Sequence, residues 1–319
     1  MTLMKAVVYD KKHSPCKLRI SELEKPVPSD NEILVKVVSV SLNAADYRSL
    51  KMGIIPKKKI FGSAVSGTIA SVGKNVRQFK VGDAMVGDLT DFGFGGLAEY
   101  AAASEKAFTL KPANTSFEDV VTLPVAATTA LKALRDKGNI QAGQKVLIVG
   151  SAGGVGTSAL QLAKYFGAEV TAVCSTKNIQ QANSLGADKV IDYTKNDFTK
   201  GSDRYDLILA INGKYPLFSY RRILKSNGTY VMVGGTLGQV IKSLLFAWFL
   251  SFGGKKMKTL SAKADQKDLA YLVQLLAEGK FKAIIHKRYT LDEAAEAMDE
   301  LSKGHCPSNV VINIQDRNK

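Results

Sequence analysis

Along roughly the first third of the chain, apolar positions fall in short runs broken by turns. Met4–Asp10 and Glu32–Leu42 are rich in Val and Ile, and Ser63–Val72 carries small and β-branched residues. Turn signals stand at Val72-Gly73-Lys74-Asn75 and at Val81-Gly82-Asp83, the latter leading into a short strand at Ala84–Val86. Pro26, Pro28 and Pro56 add further breaks. Short strands with frequent turns predict a small barrel or sandwich.

After Pro112 the period changes. Phe117–Leu134 reads as helical, broken near Pro124. Lys145–Val149 is a short apolar strand, followed by a glycine loop and a helix from Val155 to Phe166. In that helix Val155, Ala159, Leu162, Ala163 and Phe166 share one face. Val170–Cys174, Val190-Ile191, Leu207–Ile211 and Tyr230–Val233 are the following strands, with helices at Ile179–Leu185 and Phe218–Leu224. Strand–helix alternation of this kind predicts a parallel, doubly wound sheet. Asp268–Leu276 and Asp292–Leu301 read as amphipathic helices and Asn309–Ile314 as a last strand. A tail strand is expected to rejoin the β-rich part, which leaves the α/β part as an insertion. The expected division is therefore residues 1–115 with 262–319, and residues 116–261.

Composition narrows the classes. A chain of 319 residues suggests two domains at about 150 residues each. With 45% apolar and 23% charged residues, wholesale disorder is excluded. The net charge of +15 admits nucleic acid, an anionic membrane surface or a phosphorylated ligand as partner, and does not choose among them. Cys16, Cys174 and Cys306 are widely spaced and form no CxxC pair, so a reducing compartment, the cytoplasm, is expected. The N-terminus runs straight into a strand pattern without the layout of a signal peptide. The longest apolar stretch, Leu244–Phe252, is about half the roughly 20 residues that a spanning helix needs. It reads foremost as a buried helix at a homodimer interface; a lid over a hydrophobic substrate and a weak membrane-surface contact are the alternatives.

The strongest local signal is Lys145-Val-Leu-Ile-Val-Gly-Ser-Ala-Gly-Gly-Val-Gly156, a glycine loop between a strand and a helix. Against the pattern G-x-G-x-x-G, the first glycine is Ser151 and the others are Gly153 and Gly156. Gly153 and Gly154 let backbone approach a pyrophosphate, Val155 opens the helix, and Gly156 lets that helix pack on the strand. The alternative is a tight strand–helix turn without ligand. At the end of the next strand an NAD site places a carboxylate. Here Cys174 is followed by Ser175, Thr176 and Lys177, two hydroxyls and a cation suited to the 2′-phosphate of NADPH; an ordinary polar turn is the alternative.

The order of motifs resembles the medium-chain dehydrogenase/reductase superfamily, in its zinc-independent quinone oxidoreductase-like branch. The matching pieces are Ser41-Leu-Asn-Ala-Ala-Asp46, Gly67-Thr-Ile-Ala-Ser-Val-Gly73, Phe79-Lys-Val-Gly-Asp83, Gly96-Leu-Ala-Glu-Tyr100, Leu123-Pro-Val-Ala-Ala-Thr-Thr-Ala130, the glycine loop, and Leu185-Gly-Ala-Asp-Lys-Val-Ile-Asp-Tyr193. The resemblance implies a GroES-like catalytic domain carrying an inserted Rossmann domain, with a cleft between them. It also implies that Thr129 lies near the nicotinamide and that Tyr193 and Lys177 approach the adenosine 2′-phosphate. Gly234 and Gly235 are implied on the nicotinamide side, and Asn43 and Tyr47 near cofactor and substrate. The stretch Gly62-Ser63-Ala64 lacks the His-Glu pair of the zinc-dependent cousins, and the four-cysteine lobe is absent.

His13, His286 and His305 are isolated, so no metal site is expected. Tyr47 either donates to a substrate carbonyl or walls the pocket. Asp46 reads as a loop stabiliser rather than a base. The expected activity is transfer of a hydride from NADPH to a quinone or an α,β-unsaturated carbonyl compound. Asn43, Tyr47 or solvent are the candidate donors to the developing oxyanion. The competing functions are a nucleotide- or RNA-binding protein without catalysis and a membrane-surface adaptor.

Overall fold

The structure is a computed structural model that describes residues 2–12, 17–235, 251, 253–304 and 306–314. Of the apolar run Leu244–Phe252, only Ser251 is among the described residues; the helix expected there lies outside them. The chain forms two compact units, Met1–Thr128 with Lys263–Lys319, and Thr129–Ala262.

The first unit opens with β1 (Leu3–Tyr9) and β2 (Leu18–Glu24), an antiparallel hairpin with Leu3 opposite Glu24 and Tyr9 opposite Leu18. It continues with β3 (Glu32–Leu42), β4 (Ala64–Val72), β5 (Ala84–Asp88), β6 (Tyr100–Ser104) and β7 (Phe108–Leu110). The second unit holds β8 (Lys145–Val149), β9 (Glu169–Cys174), β10 (Lys189–Asp192), β11 (Tyr205–Ala210), β12 (Leu224–Met232) and β13 (Lys256–Thr259). The chain then returns to the first unit with β14 (Ile285–Thr290) and β15 (Asn309–Asn313).

In the first unit the order is β14-β15-β3-β4-β5-β7, with β6 also on β3. The tail strand β15 lies antiparallel to β3, with Val310 opposite Leu42. Alternate residues of β3, among them Ile33, Val35 and Val37, join Phe61, Met85, Leu97 and Phe108 in a core closed to solvent. This is the GroES-like part of the fold.

The second sheet runs β10-β9-β8-β11-β12-β13, and every pairing is parallel. The order reverses between β8 and β11, which is where such sheets open a crevice at their carboxyl edge. The helix Gly154–Tyr165 packs on β8 and β9 through the buried residues Ala159, Leu162 and Ala163. The central strands β8 and β11 read as near-continuous apolar runs, as strands buried on both faces do.

The helix expected over Phe117–Leu134 is interrupted more than its pattern shows. It starts as Phe117–Val120, and regular helix returns only at Thr128–Lys132. Wide turns at Leu123–Ala127 and Ala133–Lys137 flank that piece, closed by Thr128 N–H to Leu123 O and Gly138 N–H to Ala133 O. Pro124 lacks the N–H that a regular ladder needs. Strands β2, β6, β7, β13 and β14, and the helix Ala44–Met52, carry no clear period in the sequence; tertiary pairing and capping make them. Among the described residues no helix is long and apolar enough to cross a membrane.

Candidate active and cofactor site

In the first unit the candidate residues gather at the start of the helix Ala44–Met52. Asn43 is extended and precedes the helix, and the Asp46 carboxylate reaches back to accept the Asn43 N–H at 2.8 Å. Gly53, at φ 72, ends the helix, with its own N–H and that of Ile54 donating to Leu50 O and Ser49 O. Asp46 is fully buried. Its Oδ2 also accepts Ser63 Oγ–H at 2.6 Å, and its Oδ1 accepts Gly62 N–H at 2.9 Å. Gly62 sits at φ +100, and a Cβ there would stand 2.5 Å from Leu97 N, so only glycine fits. Burial pushes the Asp46 carboxyl up to about 6; the three hydrogen bonds oppose that rise and the neighbouring Asp88 adds to it.

This network spends its protons internally. Ser63 gives its proton to Asp46. The Asn43 carboxamide donates to Ser41 O at 2.8 Å and to Ser63 Oγ at 3.2 Å. Both Nδ2 protons are thereby used, which leaves none for a ligand. The expectation of Asn43 as an oxyanion donor is corrected accordingly. Tyr47 is half-buried against the first core, with the Arg48 guanidinium 5.8 Å from its ring centre. Its phenol has no hydrogen-bond partner among the described residues, so it keeps a proton to donate. None of these residues lines the cavity of about 270 Å³ in the same unit, which lies against Leu23, Ile60, Phe94 and Tyr100.

In the second unit the sheet's carboxyl edge repeats one arrangement strand by strand. Val173 O accepts the N–H groups of Gly150 and Ser151 and the Ser151 hydroxyl, each at 3.1 Å. Val149 O accepts Ile211 and Asn212, and Ala210 O accepts Val233 and Gly234. The loops after β8, β11 and β12 are thus each tied to the last turn of a neighbouring strand. Gly234 and Gly235 leave β12 at this edge, with Gly235 at φ 156. Thr129 is half-buried, and its hydroxyl has no hydrogen-bond partner among the described residues.

The glycine loop has the shape of a phosphate cradle. Gly150 turns at φ +87. A Cβ on Gly156 would sit 2.2 Å from Gly150 O, so this glycine lets the helix start directly beneath the loop. At Gly153 an added Cβ would meet nothing within 4 Å, which is open space above the helix N-terminus. Its N-cap is Gly153, which has no side chain to cap that terminus. The amides of Gly154, Val155 and Gly156 therefore stand where an anion binds. The Ser151 hydroxyl points inward to Val173 O and is not a phosphate donor.

At the end of β9 the hydroxyls differ. Ser175 Oγ accepts Asn178 Nδ2 at 3.1 Å and keeps its own proton. Thr176 Oγ1 donates to Asp192 Oδ2 at 2.5 Å, so its single proton is spent; the expected donation from Thr176 to a phosphate is corrected accordingly. Lys177 is exposed on the turn Thr176–Asn178. Tyr193 follows Asp192, donates its N–H to Cys174 O and is 52% exposed. Asp192 and Ser63 are the two residues that sequence reasoning passed over as participants. Each acts across a gap of more than a dozen residues, on a neighbouring element.

The profile described as an alcohol dehydrogenase GroES-like domain matches residues 29–113, and the one described as a zinc-binding dehydrogenase matches residues 185–312. A chloroplastic quinone-oxidoreductase of Triphysaria versicolor is 33% identical over 97% of this chain and 98% of its own. A chloroplastic NADPH-dependent alkenal/one oxidoreductase of Arabidopsis thaliana is 29% identical over 97% of this chain and 79% of its own. Among solved structures, the quinone oxidoreductase from Coxiella burnetii superposes with a TM-score of 0.88 at 29% identity, covering 98% of this chain and 100% of its own. The chain belongs to the medium-chain dehydrogenase/reductase superfamily, in its quinone oxidoreductase-like branch. It is a nicotinamide-dependent oxidoreductase.

The donor set does not fit zinc. The Ser63 hydroxyl is committed to Asp46, and Asp46 is saturated by three donors. Among the described residues, no group of three or more His, Cys, Asp or Glu is placed to hold a metal ion.

Proposed function

We propose that this protein is an NADPH-dependent, zinc-independent reductase of quinones or α,β-unsaturated carbonyl compounds. One observation carries the cofactor reading: an uncapped helix N-terminus behind a glycine loop, with Ser175 and Lys177 at the end of the adjacent strand. The backbone of Gly153–Gly156 holds the pyrophosphate through N–H groups and the helix dipole. Lys177 and the Ser175 hydroxyl bind the 2′-phosphate, with Tyr193 beside them. When bound, the nicotinamide supplies a hydride. The acceptor class is supported by the relatives, which are named for quinones and for alkenals and enones.

On the acceptor, the chain's own task is to meet charge that develops on oxygen. Asn43 has both carboxamide protons in use and does not stabilise an oxyanion. Tyr47, with its phenolic proton free, is the protein donor in this reading, and solvent is the other source. Steady-state turnover with NADPH across quinones, enones and simple alcohols tests the proposal. Reduction of quinones or enones is expected, with alcohols poor because no metal steadies an alkoxide. Robust alcohol oxidation without activity on conjugated acceptors would sink it.

A further inference from the structure

We infer that Asp192 is a positioning residue for cofactor selectivity, acting through a latch on Thr176 at the end of β9. The inference rests on the NADPH reading above and names how that subsite is kept in shape. Strands β9 and β10 are parallel with Asp192 opposite Cys174, so a carboxylate arrives at the end of β9 from the neighbouring strand. Asp192 is only 6% exposed. Its Oδ2 accepts Thr176 Oγ1–H at 2.5 Å, and its Oδ1 accepts the Thr194 N–H at 2.9 Å and the Thr194 hydroxyl at 2.7 Å. Both threonine protons go to the carboxylate. The Thr176–Thr194 oxygen pair at 3.2 Å is therefore a contact without a proton of its own. These hydrogen bonds hold the carboxyl below its ordinary range.

The consequence follows from what the knot holds together. Thr176 and Thr194, both exposed, are pinned to the buried Asp192 carboxylate, and Lys177 and Tyr193 stand exposed beside them. Ser175 is fixed separately by Asn178, which donates to its Oγ from the same turn. Thr176 is thus the tether by which β10 fixes the turn bearing Ser175 and Lys177. Without it the turn loses the side-chain bond that ties it to β10, and Lys177 must be ordered when the cofactor binds. That cost falls on NADPH, whose 2′-phosphate uses the turn, far more than on NADH.

The test is a double-mutant cycle read by direct titration of NADPH and NADH, with no acceptor present. Thr176→Val keeps the Asp192 charge and removes the latch; it is expected to weaken NADPH about fivefold and NADH less than about twofold. In an Asp192→Ala background, which removes both acceptor oxygens, the same Thr176→Val change is expected to cost under about twofold, because the latch is already broken. Thr176→Ser, which keeps the hydroxyl, is expected to retain wild-type affinity within about twofold, separating the latch from general disruption. A fivefold loss that persists in the Asp192→Ala background would overturn the inference, since Thr176 would then touch the phosphate independently. Wild-type preference for NADPH that Thr176→Val leaves unmoved would overturn the inference alone. Equal wild-type affinity for the two cofactors would overturn the NADPH reading and the inference together.

Discussion

Ser63 Oγ donates to Asp46 Oδ2 at 2.6 Å, inside a unit where both side chains are closed to solvent. The hydroxyl joins Asp46 to Asn43, whose carboxamide donates to it at 3.2 Å. Asp46 nonetheless remains a fully buried carboxyl, with no cation paired to it among the described residues, and that has a consequence for pH.

Burial raises the Asp46 pKa from 3.8 to about 6. Between those values the folded protein holds a proton that the unfolded chain has lost. The stability from this group is complete below about pH 4 and is lost as pH rises through about 6, a swing of about 3 kcal/mol at roughly 1.4 kcal/mol per unit. Relative to Asp46→Asn, wild type is expected to gain stability as pH falls from about 7 to about 4. Denaturant unfolding of both proteins at the two pH values measures this. Parallel pH profiles would remove Asp46 as the titrating group.

Two glycines of the loop should separate packing from ligand binding. A Cβ on Gly156 meets Gly150 O at 2.2 Å, so Gly156→Ala forces backbone apart and is expected to cost roughly 1–3 kcal/mol of stability. Gly153 has open space and an ordinary backbone, at φ −72, so Gly153→Ala should leave the melting temperature nearly unchanged. Its added methyl group enters the space proposed for the pyrophosphate, so cofactor affinity should fall. Thermal melts with cofactor titration check both; unaltered affinity in Gly153→Ala would place the phosphates elsewhere.

Lys177 stands on the proposed 2′-phosphate subsite. A hydrogen bond to a charged group contributes roughly 1.5–3 kcal/mol. That corresponds to roughly 10- to 150-fold in affinity. Lys177→Ala is expected to weaken NADPH within that range and to leave NADH nearly unchanged. Calorimetric titration of both cofactors decides the matter, and equal losses for both would show that the lysine does not read the phosphate.

Metal content follows from the donor set around Ser63. Purified protein is expected to hold no stoichiometric zinc, and turnover should survive a strong chelator. Elemental analysis beside chelator-treated kinetics is the measurement. Tight zinc that turnover requires would contradict the assignment of Ser63, Asn43 and Asp46 to a closed hydrogen-bond network.

The sequence by itself determined which segments are strand and which are helix wherever periodicity was strong. Lys145–Val149 and Glu32–Leu42 are the same residues in pattern and in fold, because burial on one or both faces writes itself into residue type. It also determined the glycine loop, since the turn and the close approach of Gly156 to Gly150 tolerate no side chain. The helix Ala44–Met52 stayed hidden because its start is set by Asp46 capping Asn43 rather than by an apolar stripe. What only the tertiary structure decided is where protons go. Thr176 reads as a phosphate donor until β10 brings Asp192 beside it, and Asn43 reads as an oxyanion donor until Ser41 and Ser63 take both of its protons. A residue type states how many hydrogen bonds a group is able to make. Which of them remain for a ligand depends on partners that only the folded chain brings within reach.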